Sequence, residues 1–321
     1  MSEDKLKRRE FIKLAGKASL LTAVMGTGGY LISKNVYRPS GVIAINIDCD
    51  KSVPPDPEYP DLISIKSENY DDAIAAGVGL IGGIGRFVTQ GDIVTIKPNI
   101  GWDRTPEQGA NTNPVLIEAV AKLCFDAGAS KVIITDAPCN DFRRTFLRSG
   151  IGGLSKKIGV NIIYPEQHRF VNVDLGGEIL GKWPVLRPFL ETDKLINMPV
   201  VKHHNLTRIT VGMKNWYGVL GGPRGRLHQQ IDTSIADLAD FFRPTLIIVD
   251  ATRVLFRNGP VGGSLSDVET YHTVIAATDQ VAADSYSCRF LDLKPDSLIF
   301  LKMAESRGLG KIKDYKLIEK I

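Results

Sequence analysis

The strongest constraint on the fold is a strand–helix–strand pattern in the first half of the chain. Asp92-Ile-Val-Thr-Ile-Lys97 is a short apolar run stopped by Pro98, the pattern of a buried strand. Asn113 followed by Pro114 predicts a helix start, with Asn as N-cap and Pro at the first helical position. An apolar stripe through Val115, Ala119 and Leu123 continues until Gly128, and Lys131-Val-Ile-Ile-Thr-Asp136 is the next strand. Two strands joined by a helix through short connections pair in parallel with a right-handed crossover. The expected class is therefore α/β: largely parallel sheet with flanking helices, in one or two Rossmann-like lobes.

The pattern recurs downstream. Lys194–Met198, Pro244–Asp250 and Thr273–Ala277 are predicted strands, and Gly41–Asp48 an early one. Leu206–Leu220, Thr233–Phe242 and Gln280–Leu291 are predicted helices, while Glu166–Pro188 is less regular and suits a small β excursion or a lobe crossing. Ligands of open α/β sheets bind beyond the carboxyl ends of the strands. Asn99, Asp136, Pro199–His204, Asp250 and Asp279 fall at such ends.

Charge separates the chain into two parts. Of 40 Lys+Arg in 321 residues, eight lie in the first forty, against three acids; beyond them 32 bases face 33 acids. A nucleic-acid binder carries its basic excess on the folded domain, so nucleic acid is not an expected partner. Residues 1–40 hold Lys7-Arg8-Arg9-Glu10-Phe11-Ile12-Lys13 and then a weakly hydrophobic stretch, Ala18–Ile32. This segment resembles a twin-arginine export signal, with Lys7 where Ser or Thr is usual and Ile12 where Leu is usual. An amphipathic N-terminal helix is the alternative.

The export reading implies the twin-arginine machinery as a partner and a periplasmic or extracytoplasmic location for a core spanning 41–321. No clear Ala-x-Ala site follows, so the leader can also remain as a membrane anchor. Cys49, Cys124, Cys139 and Cys288 include no C-x-x-C pair, so neither a ferredoxin-type iron–sulfur cluster nor a zinc ribbon is expected. Cys124 belongs to an apolar helical pattern. Cys139, just after a strand, is the best candidate for a reactive thiol, with a plain loop cysteine as the alternative.

The densest chemistry runs from Pro199 to Gly218 and includes Lys202, His203, His204, Thr207, Thr210, Lys214 and Asn215. With Asn205 as N-cap, a helix from Leu206 would stack Ile209, Met213, Trp216 and Leu220 on an apolar face. Thr207, Thr210 and Lys214 would lie on a polar one. Lys202 and the histidines would crowd its N-terminus, where free N–H groups attract anions. Gly221-Gly-Pro-Arg224-Gly-Arg226-Leu-His228 follows, a glycine-rich turn able to close over phosphate or carboxylate, but without P-loop or dinucleotide spacing. Asp250 and Asp284 are open between site and helix cap, Asp279 suits a cap, and His168 and His272 are expected to be structural.

Lys97-Pro98-Asn99, Thr112-Asn113-Pro114, Lys202-x-His204, Thr210-x-x-x-Lys214-Asn215, Asp250, Asn258-Gly259-Pro260 and the Asp279…Asp284 pair occur in this order. Together they resemble the bacterial and archaeal family known as domain of unknown function 362, over about residues 90–290. Some members of that family carry ferredoxin-type clusters, and this chain departs from them. The interval from His204 to Lys214 also resembles that between a histidine and the cofactor-holding lysine of nickel-pincer lactate racemases. Between them only Gly212 matches the glycine pair there, and His228 lies where a metal-binding histidine is sought.

That resemblance implies a metal or metal-organic cofactor on Lys214, with His204 as acid/base and His228 and His204 as candidate metal ligands. Lys202 and Arg224 would hold a substrate carboxylate, with Asn99, Thr210, Asn215 and Asp250 completing the site. The expected function is a cofactor- or metal-dependent enzyme acting on a small anionic hydroxy- or carboxylic acid, in the manner of a racemase or epimerase. Two alternatives stay open: a non-catalytic periplasmic binding or redox-complex accessory protein, and a nucleotide- or phosphate-binding enzyme.

Overall fold

The fold was analysed in a computed structural model that describes residues 43–44, 47 and 49–320. The leader and its predicted signal lie outside the described residues. Strands in chain order are β1 (Ile43–Ala44), β2 (Leu62–Lys66), β3 (Ile93–Pro98), β4 (Lys131–Ile134), β5 (Asn161–Ile162), β6 (Phe170–Asp174) and β7 (Lys182–Leu186). They continue as β8 (Lys194–Met198), β9 (Val200–His204), β10 (Arg208–Thr210), β11 (Leu246–Leu255), β12 (Val268–Ala277) and β13 (Leu317–Lys320). The helices are α1 (Tyr70–Leu80), α2 (Pro114–Asp126), α3 (Phe142–Arg148), α4 (Leu154–Ile158), α5 (Gly212–Asn215), α6 (Ile231–Phe241), α7 (Gln280–Ser287) and α8 (Ile299–Ser306).

The main sheet runs β13-β2-β12-β11-β8-β3-β4-β5. From β11 to β5 every neighbouring pair is parallel, and β12 is antiparallel to both of its neighbours. The β3–α2–β4 unit forms as its sequence predicts. Asn113 Oδ1 accepts the Val115 N–H, Pro114 opens the helix, and β3 and β4 pair in parallel. The irregular 166–188 stretch holds the β6–β7 hairpin, which with β1 makes a second, three-stranded sheet.

Alternation along β11 shows how the layers form. Leu246 and Ile248 enter a core shared with α1 and α2, while Ile247 and Val249 enter one shared with α6, α7 and α8. Side chains two apart on a strand share a face, so a strand buried on both sides is apolar throughout. The described residues from Asp50 onward therefore stack helices on both faces of one sheet. No helix among the described residues is long and apolar enough to cross a membrane.

The predicted helix over Leu206–Leu220 does not form. Instead β9 and β10 make an antiparallel hairpin that turns at Asn205–Thr207, followed by the short α5 and a 3-10 turn over Trp216–Val219. Thr207, Ile209, Thr210 and Val211 are β-branched, which favours strand over helix, and Arg208 has a positive φ of 66° that no helix accommodates. Asn205 is thus a turn residue and no N-cap. Ile209, Met213, Trp216 and Leu220 are all fully buried, but from three different local structures rather than one helical face. Likewise β11 runs on to Leu255, and β12 begins at Val268 and returns antiparallel.

The short α5 has no side-chain cap from its own flanks; Asp284 on α7 supplies one across the fold. Its carboxylate accepts the Gly212 N–H at 2.7 Å and the Met213 N–H at 3.1 Å. Burial pushes the Asp284 carboxyl up to about 7 while those two donors oppose the shift. Replacing Asp284 by Ala strands both N–H groups. The expected loss is about 1–3 kcal/mol of stability, read by urea unfolding.

Candidate functional site

A cavity of about 470 Å³ opens where β3, β4 and β9 end, with Asn99, Asp136, Lys202, His204, Thr210, Lys214, Asn215, Arg224 and His228 in its lining. The hairpin explains part of this set. Lys202 and His204 are two apart on β9 and share a face, whereas His203 points the other way and does not line the cavity. Thr210 is the cross-strand partner of Lys202. Its buried Oγ1 has no hydrogen-bond partner among the described residues.

The floor is a network of buried polar side chains. Lys97 Nζ contacts Asp136 Oδ1 at 2.8 Å, Asn215 Oδ1 at 3.0 Å and the Pro98 carbonyl at 3.0 Å. Asn99 Nδ2 donates to Asn215 Oδ1, and Lys202 Nζ donates to Asn99 Oδ1 and the Ala110 carbonyl. The second oxygen of Asp136 accepts the Ile100 N–H at 2.6 Å. Gly218 lies so close that an added Cβ would overlap Asp136 and come within 2.7 Å of Lys97 Nζ, so no larger residue fits there.

Three buried lysines thus lie at or beneath the cavity, and only Lys97 contacts a carboxylate. Burial draws the Lys97 amine down while Asp136 beside it opposes the shift. Among the described residues Lys202 has no carboxylate partner; burial lowers it to about 7. Lys214 is held well below its ordinary value, again by burial. Among the described residues Lys214 has no hydrogen-bond acceptor, and its ammonium lies 3.0 Å from the centroid of the Tyr217 ring.

The two cavity histidines are complementary. His204 Nδ1 accepts the Leu206 and Thr207 backbone N–H groups at 3.2 and 3.3 Å, which leaves the ring proton on Nε2. Burial and the Lys214 and Lys202 charges hold it down to about 3, so it is neutral at physiological pH. His228 Nδ1–H donates to the Gly225 carbonyl at 3.0 Å, so its Nε2 carries the lone pair. Its rings stack nearly parallel to His204, centroids 6.3 Å apart, and burial lowers its pKa.

Several sequence expectations change here. His204, expected as acid/base and metal ligand, has Nδ1 engaged by backbone N–H groups and presents Nε2–H to the cavity, whereas the Nε2 of His228 has no hydrogen-bond partner among the described residues. Arg224 lines the cavity, yet Nη1 donates to the Tyr217 and Leu220 carbonyls and Nη2 to Pro138 O and toward Cys139 Sγ. Its fork holds loops together and is not free to clamp a carboxylate.

Asp250 does not line the cavity. Its carboxylate accepts Asn113 N, Thr252 N and Thr252 Oγ1 and is a buried structural anchor. Asp279 caps α7, as expected. Exposed Cys139 does line the cavity. Sequence reasoning missed Trp102 and Tyr217, and left Asp136 as a strand-end residue only. A polar residue ending an otherwise apolar strand, as both Lys97 and Asp136 do, was the available signal. Among the described residues no group of three or more His, Cys, Asp or Glu side chains is placed to hold a metal.

These features define an α/β protein with an amine-rich cavity at the carboxyl edge of a largely parallel sheet. The chain belongs to the family described as Domain of unknown function (DUF362), which matches residues 94–289 and so includes every residue of the cavity lining. A curated relative, thylakoid-associated protein sll1697 of Synechocystis sp., is 26% identical over 239 residues, covering 72% of each chain. Among solved structures the lactate racemase apoprotein of Thermoanaerobacterium thermosaccharolyticum is 14% identical with a TM-score of 0.42, over 77% of this chain and 61% of that one. A Thermotoga maritima protein is 8% identical with a TM-score of 0.37, over 70% and 58%. The chain thus spans about three fifths of the length of these solved neighbours.

Two measurements check the site. Two-bond proton–nitrogen correlation spectra near neutral pH are expected to show the Nε2–H tautomer for His204 and the Nδ1–H tautomer for His228. The same tautomer on both rings would contradict the assignment. For Lys202, the folded pKa of about 7 lies below the ordinary 10.5. The unfolded chain therefore binds more protons between those values, and stability from this group rises with pH across that window. The stability of the wild type relative to Lys202→Met, from urea unfolding at successive pH values, is expected to increase from pH 7 upward.

Proposed function

We propose that this cavity binds a small organic anion on Lys202 and Lys214 and transfers a proton at the carbon beside its carboxylate, as a racemase- or epimerase-like enzyme does. The observation that carries this reading is the charge imbalance. Of the three buried lysines only Lys97 contacts a carboxylate, and Lys214, which lines the cavity, has no hydrogen-bond acceptor among the described residues. An incoming anion restores the missing charge and raises the depressed amines back toward their protonated form.

The histidines supply the proton chemistry. His228 Nε2 holds the lone pair that accepts the proton, and its lowered pKa keeps that lone pair free near neutrality. His204 Nε2–H is a fixed donor for negative charge developing on the carboxylate oxygen. The residues also fit a metal-organic cofactor at two points, the unpartnered Lys214 amine for attachment and the free His228 Nε2 for a metal. Such a group, when bound, would supply an electron sink. The export expectation is a separate proposal that rests on the leader segment.

Titration calorimetry of L-lactate in Tris and in HEPES tests the binding half. Binding with proton uptake from the buffer is expected, weakened at least tenfold in Lys214→Met. No binding, or equal binding by the variant, would falsify the anion site. Proton NMR of lactate in D2O, with protein purified from its native host, tests the chemistry. Loss of the α-proton signal is expected, and His228→Gln should stop it. Binding without any exchange would instead support a non-catalytic binding protein that uses the same lysines.

A further inference from the structure

Buried polar groups and exposed aliphatic side chains line the same cavity. Here the inner groups are polar and buried: Lys202 is 2% exposed, Thr210 4% and Lys214 7%. The exposed part of the lining, beside Asn205 and Cys139, holds two aliphatic side chains: Leu206, at the β9–β10 turn, is 59% exposed and Val261 is 37% exposed. Trp102 and Pro260 join them from loops on either side of the chain. Single exposed hydrophobic residues need no explanation. These come from three separate loops and share one cavity with unneutralised amines, which needs one.

We infer that the ligand is an amphipathic organic anion, with its anionic head on Lys202 and Lys214 and an apolar body of several carbons lying against Leu206, Val261 and Trp102. This deepens the anion-binding reading above and rests on it. Size points the same way. A cavity of about 470 Å³ falls in the range of about 300–1,000 Å³ that encloses a drug-sized ligand, far more than a carboxylate and two carbons fill. Head and body make separate contributions. The head supplies the counter-charge that the buried amines lack, and the body removes Leu206 and Val261 from water, at about 25 cal/mol per Å² of apolar surface.

Calorimetry of the full chain with butyrate, hexanoate, octanoate and 1-octanol separates the two contributions. Affinity is expected to rise about fourfold for each added methylene along the acids, the equivalent of about 0.8 kcal/mol. Octanol should bind at least tenfold more weakly than octanoate. In the double variant Leu206→Ser/Val261→Ser the octanoate-to-butyrate affinity ratio should fall about tenfold; both positions are exposed, so the fold does not depend on them. A flat series of acids that still weaken in Lys214→Met overturns the amphipathic ligand and leaves the anion site standing. An unchanged ratio in the double variant overturns the placement of the apolar body. Octanol binding as tightly as octanoate, or octanoate binding unaffected by Lys214→Met, overturns the anion site itself.

Discussion

The buried contact between Lys97 and Asp136 is the interaction on which the rest of the site depends. It joins the ends of two adjacent parallel strands, and each partner carries further hydrogen bonds that reach other elements. Asp136 fixes the loop after β3 through Ile100 N, and Lys97 fixes α5 through Asn215. Asn215 in turn bonds the Lys97 carbonyl and Asn197 on β8, and Asn99 passes the chain of contacts to Lys202 on β9. A charge removed from water is tolerated only when its remaining donors and acceptors are satisfied. Lys97, Asp136, Asn99 and Asn215 each hold at least two such bonds, and Gly218 packs against Asp136 and Lys97 too closely to carry a side chain.

Within that frame the three amines differ in their partners. Lys97 has its carboxylate, Lys202 has two neutral acceptors, and Lys214 has only an aromatic face. Successive amines are progressively less compensated toward the open space. The two histidines at the same opening are locked by backbone groups into opposite tautomers, one a donor and one an acceptor. Neither lock involves a second ionisable side chain.

Much of this was legible in the sequence, and the parts that were not share a cause. The β3–α2–β4 unit was clear because a buried parallel strand is apolar throughout and an Asn-Pro start is unambiguous. Lys202, His204, Lys214 and His228 were found because reactive side chains crowded into one stretch of an ordinary composition stand out. The Leu206–Leu220 region was misjudged because Ile209, Met213, Trp216 and Leu220 happen to recur at helical spacing. Each is buried for its own reason in a hairpin, a single helical turn and a 3-10 turn. Asp250 and Arg224 looked like ligand groups, but tertiary packing gave their polar atoms partners that no spacing rule could reveal.

By itself the sequence determined the α/β class, the parallel centre of the sheet, the strand ends where chemistry would gather and the residue types available there. Local periodicity and capping encode these, because they depend on neighbours a few positions apart. Only the tertiary structure decided which of those residues face one cavity, which nitrogen of each histidine carries its proton, and which amine is left without a counter-charge. Those outcomes depend on partners brought together from distant parts of the chain. In a buried, low-dielectric floor, whether a lysine or imidazole is charged is set by those partners and not by its place in the sequence.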